Sequence, residues 1–256
     1  MDNKNLILDQ FTRQAVPFST APGITDDEAL RRLVDATGAG AVDTVLDVAC
    51  GPGLVVCAFA RVVRHATGID LTPAMLERAR ALATERQLDN VTWHQGDVRH
   101  LPFPDATFSI VTSRFAFHHF PDPTAVLAEM RRVCRPGGTV AVADLTASPE
   151  PAKARAMDHA MRLIDPSHVR ALTEGELERL FAAAGLGTPR TIGYRVKADL
   201  DLVLDRSFPN PGDEVEIRRL FAASVADDAL GLDTRRKGDT IRFAYPVAIT
   251  VGRTPG

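Results

Sequence analysis

Cysteine is scarce in this chain of 256 residues, and its pattern excludes one class of protein. Only three cysteines occur, Cys50, Cys57 and Cys134, and no two of them form a C-x-x-C pair. The odd number and the unpaired spacing argue against a disulfide framework. Cys57 and Cys134 lie among apolar neighbours, so we expect their thiols to be buried as small hydrophobic groups.

Long apolar runs are absent as well. No stretch approaches the roughly 20 apolar residues that a membrane-spanning helix needs. The N-terminal stretch MDNKNLILDQFTRQ lacks the cationic start and the apolar core of a signal peptide. These two absences predict a cytoplasmic protein without a membrane span.

Runs of basic residues and metal-ligand spacings are also missing. The formal net charge is −3, and no cluster of lysine and arginine stands out. Electrostatics therefore give no support for a nucleic-acid partner. Histidine, aspartate and glutamate do not recur at the spacing of a metal site, so no metal is predicted.

The central part of the chain alternates between strand-like and helix-like segments. TVLDVA, FSIVTS and TVAVADL are apolar runs typical of buried strands, whereas TPAMLERARALATERQ has a helical pattern. This order predicts an α/β fold, a doubly wound and mostly parallel sheet with helices on both faces. After residue 145 the chain becomes polar and proline-punctuated, which predicts a helical cap.

Local signals predict where some elements begin and end. LILDQFTRQAVPF predicts a short helix that ends at Pro17. Thr25 is a candidate N-cap, and Thr173 with Glu176 forms a capping-box pattern. We expect the final strand, TIRFAYPVAITVG, to bend or bulge near Pro246.

A glycine turn follows the first strand, in the stretch TVLDVACGPGLVVCAFA. Such a turn offers backbone N–H groups and a helix N-terminus to a nucleotide. A dinucleotide fingerprint needs a small residue at its third position, where this chain has Val56. No Gly-Lys-Ser/Thr follows, so the turn is not a P-loop either. The turn by itself does not indicate which nucleotide it binds.

Three acidic residues stand at successive strands: Asp47 within the first, Asp70 ending the second and Asp97 after the third. A carboxylate at the end of the second strand accepts hydrogen bonds from ribose hydroxyls. Asp47 suits an ammonium group, and Asp97 suits an exocyclic amine. Each acid has an alternative explanation as a helix cap or a turn residue. Together they favour a ligand with an amino-acid end, a ribose and an adenine.

At this point the chain resembles the class I S-adenosylmethionine-dependent methyltransferases. The resemblance rests on VLDVACGPG, ATGIDLTPAMLERAR, NVTWHQGDVRHLPFPDATFSIVTSRFAFHHFPD and LAEMRRVCRPGGTVAVADL, from about Thr44 to Leu145. It is greatest with the branch of the ubiquinone/menaquinone C-methyltransferases, which carry a methyltransferase type 11 domain. It implies S-adenosylmethionine as cofactor and a seven-stranded sheet of order 3-2-1-4-5-7-6 whose last strand is antiparallel.

The resemblance also implies a domain organisation. Residues 1–25, which include FTRQAVPFS, correspond to a segment that closes over the cofactor. Residues 26–256 form the methyltransferase domain, with a cap insertion at about 146–187 and a further helical insertion at about 200–235. The cap is expected to supply the acceptor pocket.

Cofactor-binding residues follow from the same resemblance. The set comprises Phe11, Phe18, Asp47, Ala49, Gly51, Gly53, Asp70, Leu71, Met75, Gly96, Asp97, Val98 and Arg114. Arg114 departs from the pattern, because many relatives have a small or polar residue there. Its side chain either reaches the substrate or points away.

Three histidines are candidate catalytic residues. Methyl transfer requires alignment of donor and acceptor, and a base only when the acceptor carries a proton. His118 and His119 follow the fourth strand on the ligand side, where one is a candidate base or both hold the loop. His168, near Asp165 and Arg170 in the cap, either orients an anionic or phenolic acceptor or belongs to a helix start that Asp165 caps.

The function predicted first is methyl transfer to a carbon or oxygen of a small-molecule acceptor. Nitrogen methylation is the next alternative. A protein that binds the cofactor without transferring methyl, or uses it for other chemistry, is a third, and an NAD-dependent oxidoreductase is disfavoured by Val56. The chain is expected to be a monomer or a homodimer.

Overall fold

The computed structural model describes residues 3–21 and 23–256, so residues 1, 2 and 22 of the expected N-terminal lid lie outside the described residues. A single sheet forms the centre of the molecule. Its strands are β1 Thr44–Val48, β2 His65–Asp70, β3 Val91–Gln95, β4 Phe108–Arg114, β5 Cys134–Leu145, β6 Arg190–Asp199, β7 Arg235–Lys237 and β8 Thr240–Arg253.

Helices surround this sheet and follow the strands along the chain. They are α1 Asn3–Ser19, α2 Asp27–Thr37, α3 Leu54–Ala60, α4 Pro73–Glu85, α5 Pro123–Val133, α6 Pro151–Ile164, α7 Glu174–Ala183, α8 Leu200–Ser207 and α9 Asp213–Asp227, with a 3-10 turn at Phe117–His119. Among the described helices, none is long and apolar enough to cross a membrane.

The strand order confirms the predicted fold. Strands run β3-β2-β1-β4-β5-β8-β6, and β1 to β5 are parallel to one another. The last long strand, β8, is antiparallel to both β5 and β6. An eighth strand, β7, was not predicted and pairs with the start of β8. Its three residues are all charged and exposed, so it carries no apolar signal.

Side chains of the central strands alternate between two apolar cores, as expected when both faces of a sheet are covered. Leu46 and Val111 face the core that α5 and α7 cover. Val45 and Ile110 face the core that α2 and α3 cover. All four are almost fully buried. The carboxyl ends of β1 to β5 consequently meet at one edge of the sheet, where ligands of such folds bind.

A third apolar cluster lies outside these two cores and holds the cap together. It joins α6, α8 and α9 to β8 through Met157, Leu204, Phe221 and Phe243. The cap therefore has its own packed interior, and α8 follows β6 directly along the chain.

Two local predictions need correction at the N-terminal side. Helix α1 continues through Pro17 to Ser19, because a proline near a helix end removes only its own hydrogen bond. Helix α2 is capped by Asp26 and not by Thr25. The Asp26 carboxylate accepts from the N–H groups of Glu28 and Ala29.

The predicted alternative of a bulge at Pro246 is wrong, whereas the capping box of α7 is confirmed. Thr173 and Glu176 exchange the two expected hydrogen bonds. The pairing of β8 with β6 runs through Pro246 without a register shift. The Pro246 carbonyl accepts from Thr146, just beyond the last β5–β8 pair. A proline at this position lacks only the reciprocal bond to Thr146, at the end of β5, and the pairing of β8 with β6 continues.

Candidate active site

The turn after β1 borders an open cavity at the carboxyl edge of the sheet. Ala49, Gly51 and Gly53 all have left-handed backbone angles, with φ of 57°, 51° and 81°. A Cβ on Gly53 would lie 2.6 Å from the ring of Trp93, so this position requires glycine. A Cβ on Gly51 would meet nothing within 4 Å. The backbone at Gly51 therefore faces open space that a ligand can occupy.

Asp70 ties the end of β2 to this turn. One carboxylate oxygen accepts from the N–H of Gly51 at 2.8 Å, and the other accepts from the N–H of Thr72 at 2.8 Å. Burial raises the pKa of Asp70 above its ordinary value, although these backbone bonds oppose the rise. A carboxylate has about four acceptor positions, so two remain for hydroxyl groups in the cavity.

Asp47 lies at the floor of the same cavity and is 1% exposed. It accepts a hydrogen bond from the Thr112 hydroxyl at 2.9 Å. Burial raises the pKa of Asp47 to about 7, against the opposing effects of Thr112 and of the positive charge of Arg114. A cationic ligand group beside Asp47 would favour its ionised form.

Arg114 lines this cavity, but its guanidinium is held by the segment between α1 and α2. It donates to the carbonyls of Ile24 at 2.9 Å and Gly23 at 3.4 Å. The guanidinium also lies over the Phe115 ring, 4.3 Å from the ring centroid. The Arg114 side chain therefore holds the backbone of Gly23 and Ile24 in position.

Asp97 follows β3 and closes the far end of the cavity. Its carboxylate accepts from the Arg99 side chain at 2.7 Å, and it forms an ion pair with Lys4 of α1 at 3.5 Å. The Arg99 hydrogen bond lowers the pKa of Asp97 well below its ordinary value. Because Lys4 belongs to α1, the same carboxylate connects the sheet edge to the N-terminal helix.

Most residues of the predicted cofactor set line this first cavity, which encloses about 1190 Å³. They are Phe11, Phe18, Asp47, Ala49, Gly51, Asp70, Leu71, Met75, Asp97, Val98 and Arg114. Two predicted residues are not in the lining. Gly53 packs against Trp93 and Ala79, and Gly96 packs against the side chain of Ile69. Both glycines allow close packing of neighbouring elements behind the cavity wall.

A second cavity of about 1500 Å³ adjoins the first. It lies between α1, the 3-10 turn, α6, β6, α8 and β8. Five residues line both cavities: Phe11, Phe18, Ile24, Phe115 and His119. The two cavities thus meet along a largely apolar boundary that these residues form.

His118 and Asp144 form a buried pair in the wall of the second cavity. His118 Nδ1 lies 2.6 Å from Asp144 Oδ1, and the His118 backbone N–H donates to Asp144 Oδ2. Burial alone would lower the pKa of His118, but the negative charge of Asp144 raises it above its ordinary value. The pKa of Asp144 is lowered, because the charge of His118 outweighs the effect of burial. This pairing directs the Nδ1 hydrogen to Asp144 and leaves the lone pair on Nε2.

His119 is held by the loop after α6. Its Nδ1 lies 3.1 Å from the Ser167 hydroxyl, which donates to Asp165 at 2.6 Å. Burial and the neighbouring charge of His118 lower the pKa of His119 to about 3. The ring also packs edge-on against Phe11, with centroids 5.1 Å apart. His119 is therefore a neutral side chain between the two cavities.

His168 lines the second cavity, but its partner differs from the predicted one. Its Nε2 lies 2.8 Å from Asp158 of α6, and it is 4% exposed. Asp165 stands at the end of α6, not at a helix start, and accepts from Ser167. Arg170 pairs with Glu176 on the surface. The sequence could not reveal Asp158 as a partner, because it is one polar residue within a helical segment.

The comparisons with known proteins agree with this architecture. A family model described as a methyltransferase domain matches residues 46–142. The uncharacterised methyltransferase YcgJ of Bacillus subtilis is 29% identical over 244 residues, 94% of this chain and 96% of that protein. Its crystal structure has a TM-score of 0.83 at 28% identity and covers 90% of this chain and 99% of the other. The protein is an S-adenosylmethionine-dependent methyltransferase.

Two further relatives are similar to this methyltransferase over part of its length. The 27-O-demethylrifamycin SV methyltransferase of Amycolatopsis mediterranei is 33% identical over 169 residues, 63% of this chain and 62% of that protein. The ubiquinone/menaquinone biosynthesis C-methyltransferase UbiE of Bdellovibrio bacteriovorus is 40% identical over 114 residues, 44% of this chain and 48% of that protein. These similarities confirm the resemblance to the quinone C-methyltransferase branch.

The residues of the methyltransferase fit its cofactor, S-adenosylmethionine. The free acceptor positions on Asp70 suit ribose hydroxyls, and the open backbone at Gly51 admits a close approach. Asp47 is a buried carboxylate whose ionised form needs a positive partner. In the described part of the chain, no group of three or more histidine, cysteine, aspartate or glutamate residues is placed to hold a metal ion.

Sequence reasoning missed Asp144, which pairs with His118, and several residues that line the second cavity of the methyltransferase. Asp144 carries a signal that could have found it, since it is the one acid in VAVADL at the carboxyl end of a strand. Phe115, Lys197, Arg206 and Tyr245 carry none. They come from separate elements that only the folded chain brings together.

Proposed function

We propose that this methyltransferase transfers a methyl group to a carbon or oxygen of a small molecule that occupies the second cavity. The observation that carries the proposal is the His118–Asp144 pair in the wall of a cavity that adjoins the cofactor site. Oxygen and carbon acceptors lose a proton during methylation, and a histidine oriented by a carboxylate is suited to take it.

Cofactor binding is proposed to use the residues that border the first cavity. The turn at Gly51 would lie against the amino-acid end of the cofactor, with Asp47 facing its ammonium group. Asp70 would accept from the ribose hydroxyls, with Leu71 and Met75 packing beside them. Asp97 and Val98 would frame the adenine. S-adenosylmethionine supplies an electrophilic methyl group on a sulfonium, which is already a good leaving group.

The residues that the two cavities share are proposed to surround the point where acceptor and methyl group meet, to align the acceptor and to exclude water. Phe11, Phe18, Ile24 and Phe115 are apolar and line both cavities. Water exclusion strengthens electrostatic interactions at the reacting atoms, and alignment replaces an encounter in solution. His119 completes this shared set as a neutral group, and we assign it a positioning role.

His118 is proposed as the general base. Its Nε2 would accept the proton of an acceptor hydroxyl or activated carbon, while Asp144 holds Nδ1–H and stabilises the resulting cation. His168 is proposed to support this arrangement, since its ring centroid lies 5.4 Å from that of His118. The loop after α6 is fastened to His118 as well, because the N–H groups of Val169 and Arg170 donate to the His118 carbonyl.

The proposal is tested with isotope-labelled methyl donor, purified protein and an extract of the source cells. Mass spectrometry then identifies the labelled product, and release of S-adenosylhomocysteine measures turnover. We expect a labelled small molecule whose new methyl group is on carbon or oxygen. A labelled macromolecule, or a methylated nitrogen, would contradict the substrate class proposed here.

Substitution of the proposed base gives a second test on the same product. His118→Gln is expected to lower kcat by about a hundredfold or more, the size typical of lost general-base catalysis. His159→Gln is the matched control, because His159 is exposed on α6 and lines neither cavity. Equal turnover of the two variants would exclude His118 as the base.

A further inference from the structure

The second cavity has a buried end and an open end with different chemistry. His118, His119 and His168 are buried, and they mark the end beside the cofactor cavity. Lys197 and Arg242 line the same cavity and are exposed, so they mark its opening to solvent. A molecule in the cavity thus has one end at the histidines and the other at these cations.

Positive charge predominates among the side chains at the opening. Lys197 of β6, Arg206 of α8 and Arg242 of β8 line the cavity there. Asp199 is the acidic residue of this group, and it is already engaged by Arg242 at 3.8 Å and by the N–H of Asp201. Among the residues that the structure describes, no carboxylate forms an ion pair with Lys197 or Arg206. The opening is therefore cationic although the whole chain carries a net charge of −3.

The cavity between its two ends is mostly apolar. Met161 and Ile164 of α6 line it from one side, and Ala198 and Val203 line it from the other. Leu202 lines it near the opening and is 50% exposed. Burial of apolar surface here favours a hydrophobic ligand body, and unpaired cations at the opening favour a negative group at its end.

We infer that the acceptor of this methyltransferase is an anionic amphiphile. Its carboxylate, sulfonate or phosphate binds Lys197 and Arg206, its apolar body occupies the cavity, and its reacting atom lies beside His118. The inference rests on the proposed function only for the position of the reacting atom. A cationic amine acceptor is disfavoured by the same charges, in agreement with carbon or oxygen as the methylated atom.

The anion site is tested with two fluorescent probes that differ by one group. Anilinonaphthalene sulfonate carries a sulfonate on an apolar aromatic body, and N-phenylnaphthylamine is the same body without it. We expect the unmodified protein to bind the sulfonate probe more tightly than the neutral one. Raising the salt concentration should weaken binding of the sulfonate probe alone, because ions screen exposed charge pairs.

Variants at the opening distinguish the effect of side-chain charge on probe binding from the effect of side-chain shape. K197Q and R206Q are each expected to weaken binding of the sulfonate probe about threefold, and the double variant about tenfold. The charge-conserving double variant K197R/R206K should bind within about twofold of the unmodified protein. R155Q is the control, because Arg155 is an exposed cation of α6 that lines neither cavity. Binding of the neutral probe should be the same in all of them.

Two outcomes would overturn the inference. One is equal binding of the sulfonate probe by K197Q/R206Q and R155Q. The other is equal weakening in the charge-removing and charge-conserving double variants, which would show that shape and not charge matters. Failure of the proposed function is distinguishable from both. It would appear as no S-adenosylhomocysteine release with any acceptor, whatever the probes show.

Discussion

At the residue scale, buried carboxylates stand at or next to both cavities. Asp47 and Asp70 line the first cavity, and Asp144 pairs with His118, which lines the second. Each is at least 90% buried, and each has partners that determine its charge. Buried carboxylates with perturbed pKa values concentrate at functional sites, because chemistry requires charges that folding alone would avoid.

Asp144 is expected to set the pH dependence of methyl transfer. The pKa of His118 is raised above 6.5 by Asp144, so the base is neutral and active only above this raised value. In Asp144→Asn the raising charge is gone, and the acidic limb of the kcat profile should move to lower pH. The maximal kcat should also fall, by about tenfold or more, because the correct tautomer is no longer held.

A parallel variant distinguishes the two histidines of this region. Asp158→Asn removes the partner of His168 and leaves the His118–Asp144 pair intact. We expect the acidic limb of the kcat profile to shift much less in this variant than in Asp144→Asn, because the charge of Asp158 raises the pKa of His118 less than that of Asp144 does. If the limb moved in Asp158→Asn but not in Asp144→Asn, His168 would be the base instead of His118.

Asp47 is expected to lower the stability of the ligand-free protein. Its pKa is about 7 when folded, against an ordinary value of 3.8. Between these values the folded protein holds a proton that the unfolded chain has released, so stability falls as pH rises through this window. Asp47→Asn should therefore raise the free energy of unfolding at about pH 8, by roughly 1–3 kcal/mol.

Chemical denaturation at two pH values measures this effect. The gain from Asp47→Asn should shrink as the pH is lowered to about 4, where the unmodified side chain is protonated in the folded state. Asp89→Asn is the control, because Asp89 is exposed and lines neither cavity. Binding of S-adenosylmethionine should weaken in Asp47→Asn only. Equal stability of the two variants at about pH 8 would contradict a destabilising effect of the buried Asp47 carboxylate.

At the element scale, helix α1 closes both cavities and is held by polar contacts. The buried side-chain amides of Gln10 and Gln14 both donate to the carbonyl of Ser207 at the end of α8. Lys4 pairs with Asp97, and Asn3 donates to the carbonyl of His119. Polar contacts at the ends of long side chains can be exchanged with water when the helix moves. Movement of α1 is therefore expected to widen the access of ligands to both cavities.

Removal of the α8 contacts should release α1. Gln10→Ala combined with Gln14→Ala is expected to increase amide hydrogen exchange in residues 3–19 by about tenfold, the effect of losing one to two net hydrogen bonds. Thr12→Ala is the control on the same helix, because Thr12 is exposed and bonds only within the helix. Unchanged exchange in the double variant would show that apolar contacts of Phe11 and Phe18 hold α1.

At the scale of the whole molecule, the two cavities differ in how they are assembled. The cofactor cavity is formed largely by the parallel sheet, whose strand ends meet at one edge because of their order. The acceptor cavity draws on α1, α6, β6, α8 and β8, which are far apart along the chain. The same core can thus keep one cofactor site while the surrounding elements define the acceptor.

The sequence by itself determined the fold class, the strand order and most of the cofactor cavity. Gly51 and Asp70 could be predicted because each stands at or just beyond the carboxyl end of a strand. The geometry at such a strand end is determined by a few consecutive residues. Two predictions from local sequence signals were wrong, because other contacts competed with those signals. Pro17 lies inside α1, and Asp26 replaces Thr25 as the cap, because packing and an adjacent better acceptor outweighed the local pattern.

Only the tertiary structure decided the acceptor side. Nothing in the sequence spacing indicates that Asp144 pairs with His118. Nor does it indicate that one cavity is lined by His118, Lys197, Arg206 and Arg242. Their proximity arises from the antiparallel pairing of β8 with β5 and β6, and from the apolar cluster that docks α6, α8 and α9. Such long-range contacts depend on burial of apolar surface, which is non-directional and leaves no motif in the sequence.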